Sequence, residues 1–171
     1  MGGGVLGGGA GGARTALRFD VASWRGTPRE VPGVPGFHGT AGLDAFLART
    51  EILVALLPLT NTTRGILCRD LFDRLPEGAG LINAGRGGLQ IEADIIAALD
   101  SGQLSEAVLD VFSTEPLPTE NPLWGHPKVT LTPHNAALTG SATGAREVGA
   151  NLRRVLAGEQ PHNIVNPDAG Y

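Results

Sequence analysis

Short apolar runs rich in Val, Ile and Leu alternate with stretches of helical spacing along this chain, and that alternation limits the fold more than any other feature. Residues 20–24 (DVASW), 51–57 (EILVALL), 80–83 (GLIN), 107–111 (AVLDV) and 129–131 (VTL) read as strands, with 36–38 as a short edge strand. Helices are predicted over 43–49, over 70–75 ending before Pro76, over 92–99 and over 144–156 ending at Gly158. The 92–99 helix is the best marked, with acids in its first turn and Gly102 beyond its end. Residues 28–35 are rich in Pro and Gly and read as a loop; no internal repeat or long linker is evident.

Strands separated by helices require crossover connections, so the expected class is α/β: a Rossmann-type, doubly wound parallel sheet with helices on both faces. Ligands bind such sheets beyond the carboxyl ends of the strands. The residues that follow each strand are therefore the candidates for chemistry.

Gly2, Gly4 and Gly7 fit G-x-G-x-x-G, with Val5 and Leu6 inside the motif. Glycine there lets the backbone approach a pyrophosphate at a helix N-terminus. Gly8, Gly9, Gly11 and Gly12 crowd the same stretch, so the pattern fits more than one register and also reads as a flexible tail. Each glycine weakens a helix over residues 8–17 by about 1 kcal/mol relative to Ala. The strand at 20–24 ends about 20 residues after the motif, where a dinucleotide's ribose is read. Arg25 follows it in place of an acid, which favours the 2′-phosphate of NADP over the 2′-hydroxyl of NAD. The strand expected before Gly2 would lie mid-sheet, and only Met1 stands in its place; the chain is expected to lack that strand.

Three polar residues fall beyond three strand ends: Arg86 in A-G-R-G-G, Glu115 in F-S-T-E-P and His134 in T-P-H-N-A. An arginine fork pairs with a carboxylate through two bonds. A histidine exchanges protons near neutral pH, and a neighbouring carboxylate orients it and favours its charged form.

The segments N-A-G-R-G, L-D-V-F-S-T-E-P-L-P and T-P-H-N-A, with E-A-D-I-I-A-A-L-D-S-G-Q-L, N-P-L-W-G-H-P and the final G-Y, together resemble the D-isomer-specific 2-hydroxyacid dehydrogenases, and among them the glyoxylate/hydroxypyruvate reductase A group. The resemblance implies NAD(P)H-dependent reduction of a small 2-oxo acid, glyoxylate or hydroxypyruvate, by hydride transfer. It implies that Arg86 binds the substrate carboxylate, His134 protonates the carbonyl oxygen and Glu115 holds His134. It implies that Asp110 accepts from the nicotinamide carboxamide. Leu57, Pro58 and Thr60, with Ala84 and Gly85, would line the cofactor, and Gly2, Gly4, Val5, Leu6 and Gly7 would cradle the pyrophosphate. The group carries Ser-Arg after the second strand where this chain has Arg25-Gly26, and Ile is common where Asn135 follows the histidine. The resemblance divides the chain into a dinucleotide-binding domain at 1–140 and, at 141–171, a helix and tail that pack back on a front substrate domain. That front domain is expected to be missing, so poor turnover by the chain alone is expected. A homodimer, with residues 113–127 as part of its contact, is also implied.

Net charge of −4 gives no basic face for nucleic acid. No apolar run reaches the roughly 18 residues of a membrane span, no secretory leader is legible, and a cytoplasmic location is expected. Cys68, the only cysteine, reads as a small buried residue; no metal site is expected. Trp124 reads as a loop or subunit contact, and His38, His126 and His162 receive no role. Two other functions compete with the enzyme: a non-catalytic dinucleotide-binding module and an inactive fragment. A formate dehydrogenase is less consistent, because that sister group carries Gln at the position of Glu115.

Overall fold

A computed structural model describes residues 1, 19–26, 33–137 and 140–165. Strands β1 (Ser23–Arg25) and β2 (Gly36–His38) come first, followed by helix α1 (Gly39–Leu47). Then come β3 (Ile52–Ala55), the short helix α2 (Arg69–Phe72) and β4 (Ala79–Asn83). After these, α3 (Glu92–Ser101), β5 (Leu104–Leu109), β6 (Val129–Leu131) and α4 (Ser141–Leu156) complete the order.

All the pairings are parallel, in a four-stranded sheet β3-β4-β5-β6 and a separate pair β1-β2. This is the expected Rossmann-type α/β architecture; among the described residues the strands fall into these two sheets. Met1 lies along the edge of β3 that faces away from β4. Its amine donates to the Val54 carbonyl and its carbonyl accepts from the Leu56 N–H at 3.0 Å, the bonding pattern of a residue running parallel to Ala55. The glycine loop at residues 2–7 and the helix expected over 8–17 lie outside the described residues.

In the four-stranded sheet, Ala55, Asn83, Leu109 and Leu131 form one row across neighbouring strands. The four carboxyl ends are therefore level. With strands about 4.8 Å apart, the loops after β4 and β6 begin roughly 10 Å from one another. The core fills most completely on one face of the sheet: Leu53, Leu81 and Leu109 share that face and pack with Phe72, Ile95 and Leu99, all within 1% of full burial.

Several boundaries depart from the sequence expectation for local reasons. β5 begins at Leu104, ahead of the predicted 107, because its exposed Ser105 and Glu106 conceal the strand. It ends before Asp110, whose side chain turns to bonding the next loop. The predicted 70–75 helix shortens to α2 because the following turn tightens: Arg74 N–H bonds Leu71 O and Leu75 N–H bonds Phe72 O, three residues back. Arg25, expected just past its strand, is the last paired residue of β1, opposite His38. Cys68 is only partly buried, packed against the core. α4 buries none of its residues; Val148, Leu152, Val155 and Leu156 are more than half exposed at helical spacing. Among the described residues, no helix is long and apolar enough to cross a membrane, and no group of three or more His, Cys, Asp or Glu could hold a metal.

Candidate active site

Four loops leave the level carboxyl ends of β3 to β6, and Leu57, Pro58, Thr60, Ala84, Gly85, Arg86, Asp110, Glu115 and His134 of the predicted site sit on them. After β3, Leu57 is buried and Pro58 and Thr60 stand in a turn closed by Thr63. The Thr63 hydroxyl donates to Pro58 O at 2.7 Å and accepts from the Thr60 N–H at 2.8 Å. The loop after β4 lies directly against this turn: a Cβ on Gly85 would meet Leu57 O at 3.1 Å and the Leu89 side chain at 2.9 Å. Ala84 N–H bonds Ala55 O at 3.2 Å, which carries the sheet one residue further.

Arg86 is exposed, and its guanidinium donates to the carbonyl of Gly85 at 2.7 Å. No bond between it and Glu115 or His134 occurs among the described residues. What joins its loop to theirs is close backbone packing. Gly87 is buried, and a Cβ there would fall 1.8 Å from the Phe112 oxygen and 2.0 Å from the Phe112 carbonyl carbon. Only glycine permits that approach.

Beyond β5 the chain reaches Glu115, and beyond β6 it reaches His134. Glu115 Oε2 lies 2.7 Å from His134 Nδ1, and Glu115 Oε1 accepts from the Phe112 N–H at 2.9 Å. The His134 hydrogen bond and the Phe112 N–H hold the Glu115 carboxyl below the usual glutamate range, against a smaller opposing effect of burial. An ionised carboxylate only accepts, so Nδ1 carries the hydrogen and Nε2 is the ring atom left for proton exchange.

His134 itself has φ of +52°, in the left-handed region that side-chain-bearing residues adopt at a cost of about 1–3 kcal/mol. Asp110 supports this turn. Its Oδ1 accepts from the Thr132 hydroxyl at 2.5 Å and the Asn135 N–H at 2.9 Å, and its Oδ2 accepts from the Ala136 N–H at 3.0 Å. Asp110 is 3% exposed. Burial alone would raise its carboxyl, but the bonds from Thr132, Ala136 and Asn135 outweigh it and the net shift is downward. A cavity of about 700 Å3 opens beside the histidine, lined by Phe112, Glu115, Leu117, Trp124, Leu131 and His134 among others. Trp124, more than half exposed, donates from Nε1 to Pro118 O at 2.9 Å within its own loop.

The structure thus brings Glu115 and His134 into contact, sets Asp110 beneath their loop and packs the Arg86 loop against the same segment. Arg25 belongs to the other sheet, and Gly2, Gly4, Val5, Leu6 and Gly7 lie outside the described residues. Sequence reasoning assigned nothing to Asn83, Gln90 and Glu92, which bond these loops together. The signal for them was a polar residue at the end of an apolar strand (Asn83 in GLIN) and another between Leu89 and Ile91.

The Glu115 pair sets an acid limit. Because its folded-state value is depressed, its contribution to stability is full above the ordinary glutamate range and is lost as pH falls below that range and through the depressed value. Urea midpoints of wild type and Glu115→Gln measured from pH 3 to 7 should converge at the acid end. Parallel curves would mean that the pair does not form in solution.

Residues 1–136 match the profile of the family described as D-isomer specific 2-hydroxyacid dehydrogenase, NAD binding domain, and the chain belongs to that family. Over all 171 residues it is 43% identical to a glyoxylate/hydroxypyruvate reductase A of Serratia proteamaculans (strain 568), covering 55% of that protein. It is 42% identical, with the same coverage, to a reductase of that name from Yersinia enterocolitica. The chain spans about half the length of these curated relatives. Among solved structures, a D-isomer specific 2-hydroxyacid dehydrogenase from Xanthobacter autotrophicus Py2 in complex with NADPH and MES superposes with a TM-score of 0.95 at 45% identity. The match covers 99% of this chain and 70% of that one. An NADPH-dependent glyoxylate/hydroxypyruvate reductase from Sinorhizobium meliloti, in complex with NADP and sulfate, gives 0.93 at 44% identity, over 100% of this chain and 55% of that one.

Proposed function

We propose that this chain is the dinucleotide-binding half of a reductase that converts a small 2-oxo acid, glyoxylate or hydroxypyruvate, to the 2-hydroxy acid. The observation that carries the reading is the Glu115–His134 pair held on a strained turn at the carboxyl edge of the sheet, 2.7 Å apart. A bare nucleotide-binding module has no need of an oriented proton donor there. The residue set also fits a nicotinamide dinucleotide. Asp110 Oδ2 accepts one bond, from the Ala136 N–H, and as an ionised carboxylate oxygen retains capacity for a further donor such as a carboxamide. When bound, that cofactor supplies the hydride.

In this mechanism Arg86 pairs its exposed guanidinium with the substrate carboxylate and turns the 2-oxo group toward His134. His134 gives a proton from Nε2 to the carbonyl oxygen as the carbon is reduced, and retrieves it in the reverse direction. Glu115 keeps the ring in the Nδ1–H form and balances its positive charge. Leu117, Trp124 and Phe112 wall the cavity with apolar surface that excludes water on one side. The apolar stripe of α4 supports the assignment of 141–171 as a segment that packs on a substrate domain, which would close the remaining side. In this reading the protein is a cytoplasmic homodimer, with the 113–127 loop in the contact.

NADP is the proposed cofactor, read by Arg25 at the end of β1. Calorimetric titration should give tighter binding of NADPH than of NADH, and Arg25→Ala should abolish the difference, about tenfold for one lost charge-assisted bond. Equal affinities in wild type would exclude Arg25 as the reader. Absence of binding to either, in a folded chain, would favour the inactive fragment. Binding without glyoxylate turnover in a protein that also carries a substrate domain would favour the non-catalytic module.

A further inference from the structure

Two amide side chains are buried beneath the loops: Asn83 is fully buried and Gln90 is 3% exposed. Asn83 Oδ1 accepts from the Gly85 N–H at 3.1 Å, while its Nδ2 donates to the Arg86 carbonyl at 3.2 Å and to Gln90 Oε1 at 2.8 Å. Gln90 Nε2 donates to the Val111 carbonyl at 3.1 Å. The next residue along, Phe112, gives its N–H to Glu115, which holds His134.

The position of this bridge is informative. β4 and β5 pair as far as Asn83 and Leu109, and the ladder continues only through Asp110 N–H to Asn83 O at 3.0 Å. Past that point, among the described residues, no backbone bond joins the Arg86 loop to the segment from Val111 to Glu115. Side chains take over. Gln90 bonds Val111 O, and Glu92 Oε1 accepts from the Ser113 N–H at 3.1 Å. Position 90 must accept from Asn83 and donate to Val111 at once, which an amide of this length does and a methionine or a carboxylate does not.

We infer that Gln90, working through Asn83, is a positioning residue: it sets the separation between the arginine that binds the substrate carboxylate and the Glu115–His134 pair that delivers the proton. The inference rests on the reading of Arg86, Glu115 and His134 as the reacting groups, and deepens it.

The test reads geometry without requiring turnover. In the full chain carrying 13C-labelled glutamate, the Glu115 carboxyl titration is followed by NMR in wild type and Gln90→Met. Loss of the Val111 tether loosens the Phe112 N–H bond, so the Glu115 midpoint should move upward toward the ordinary glutamate value. A purely structural role would lower the melting temperature and leave that midpoint in place, which would overturn the inference. If Gln90→Met does not fold, Gln90→Glu serves. The neutral acid that it introduces offers both an acceptor and an O–H donor, and the carboxylate offers no donor. The Phe112 and Arg86 amide signals should then shift together as the introduced carboxyl ionises, and unchanged signals would equally overturn the inference. In a protein carrying this chain that reduces glyoxylate, Gln90→Met should lower kcat/KM on the order of tenfold to a hundredfold with NADPH affinity unchanged. Failure of wild type to turn over would count against the proposed reaction while leaving the NMR outcome to decide the role of Gln90.

Discussion

Replacing His134 by Asn should lower the rate of 2-oxo acid reduction on the order of 10²- to 10⁴-fold, the contribution of a positioned general acid. Asparagine is the informative replacement. It tolerates the left-handed backbone at this position, where φ is +52°, better than most residues. Its amide can still donate to Glu115, but it cannot protonate near neutral pH. The loop should therefore survive while the proton is lost. Single-turnover oxidation of NADPH with glyoxylate, in a protein carrying this chain that reduces glyoxylate, measures the effect. NADPH affinity should stay within about twofold, because His134 is assigned to the chemical step and not to uniform binding. A near-wild-type rate would remove His134 from the mechanism. A large loss of cofactor affinity would show that the substitution had disturbed the loop held by Asp110.

Gly87→Ala should be the most damaging single change to the site's architecture. The added methyl would overlap the Phe112 carbonyl, at 1.8 Å from its oxygen, and would crowd the Ser113 nitrogen at 2.7 Å. These are backbone atoms, so no side-chain rotation relieves the clash, and either the arginine loop or the Glu115 segment must move. Overpacking of this kind costs about 1–3 kcal/mol or more. Urea denaturation should show a loss at the upper end of that range, and the amide signals of Phe112 and Glu115 should shift even where the fold persists. By contrast, Gly88→Ala meets the Leu59 side chain, at 2.8 Å, which can turn aside. Similar losses at both positions would show that the close approach at Gly87 is not maintained in solution.

The elements most legible in the sequence were those whose local pattern and burial agree. β4 and β6 fall within one residue of expectation, and α3 starts where its acidic first turn placed it. β5 was harder, because Ser105 and Glu106 interrupt the apolar run at its start. Glu115 and His134 were legible as chemical types beyond strand ends, 19 residues apart, but nothing in that spacing fixes a 2.7 Å contact. Asp110 was read as a cofactor ligand. Its present bonds show a further part in holding the turn that carries His134.

By itself the sequence determined the class of fold and the family, because apolar periodicity and three ordered motifs are local properties that survive without knowledge of packing. It also determined which residues have the chemistry to bind a carboxylate and exchange a proton. The tertiary structure alone decided how those residues are held. Whether Gln90 reaches Val111, whether Gly87 touches Phe112 and which imidazole nitrogen faces Glu115 all depend on strands brought level across the sheet. Such contacts join residues some 20 positions apart or more, and a hydrogen bond requires its atoms within a few tenths of an ångström, a condition that only the packed fold imposes.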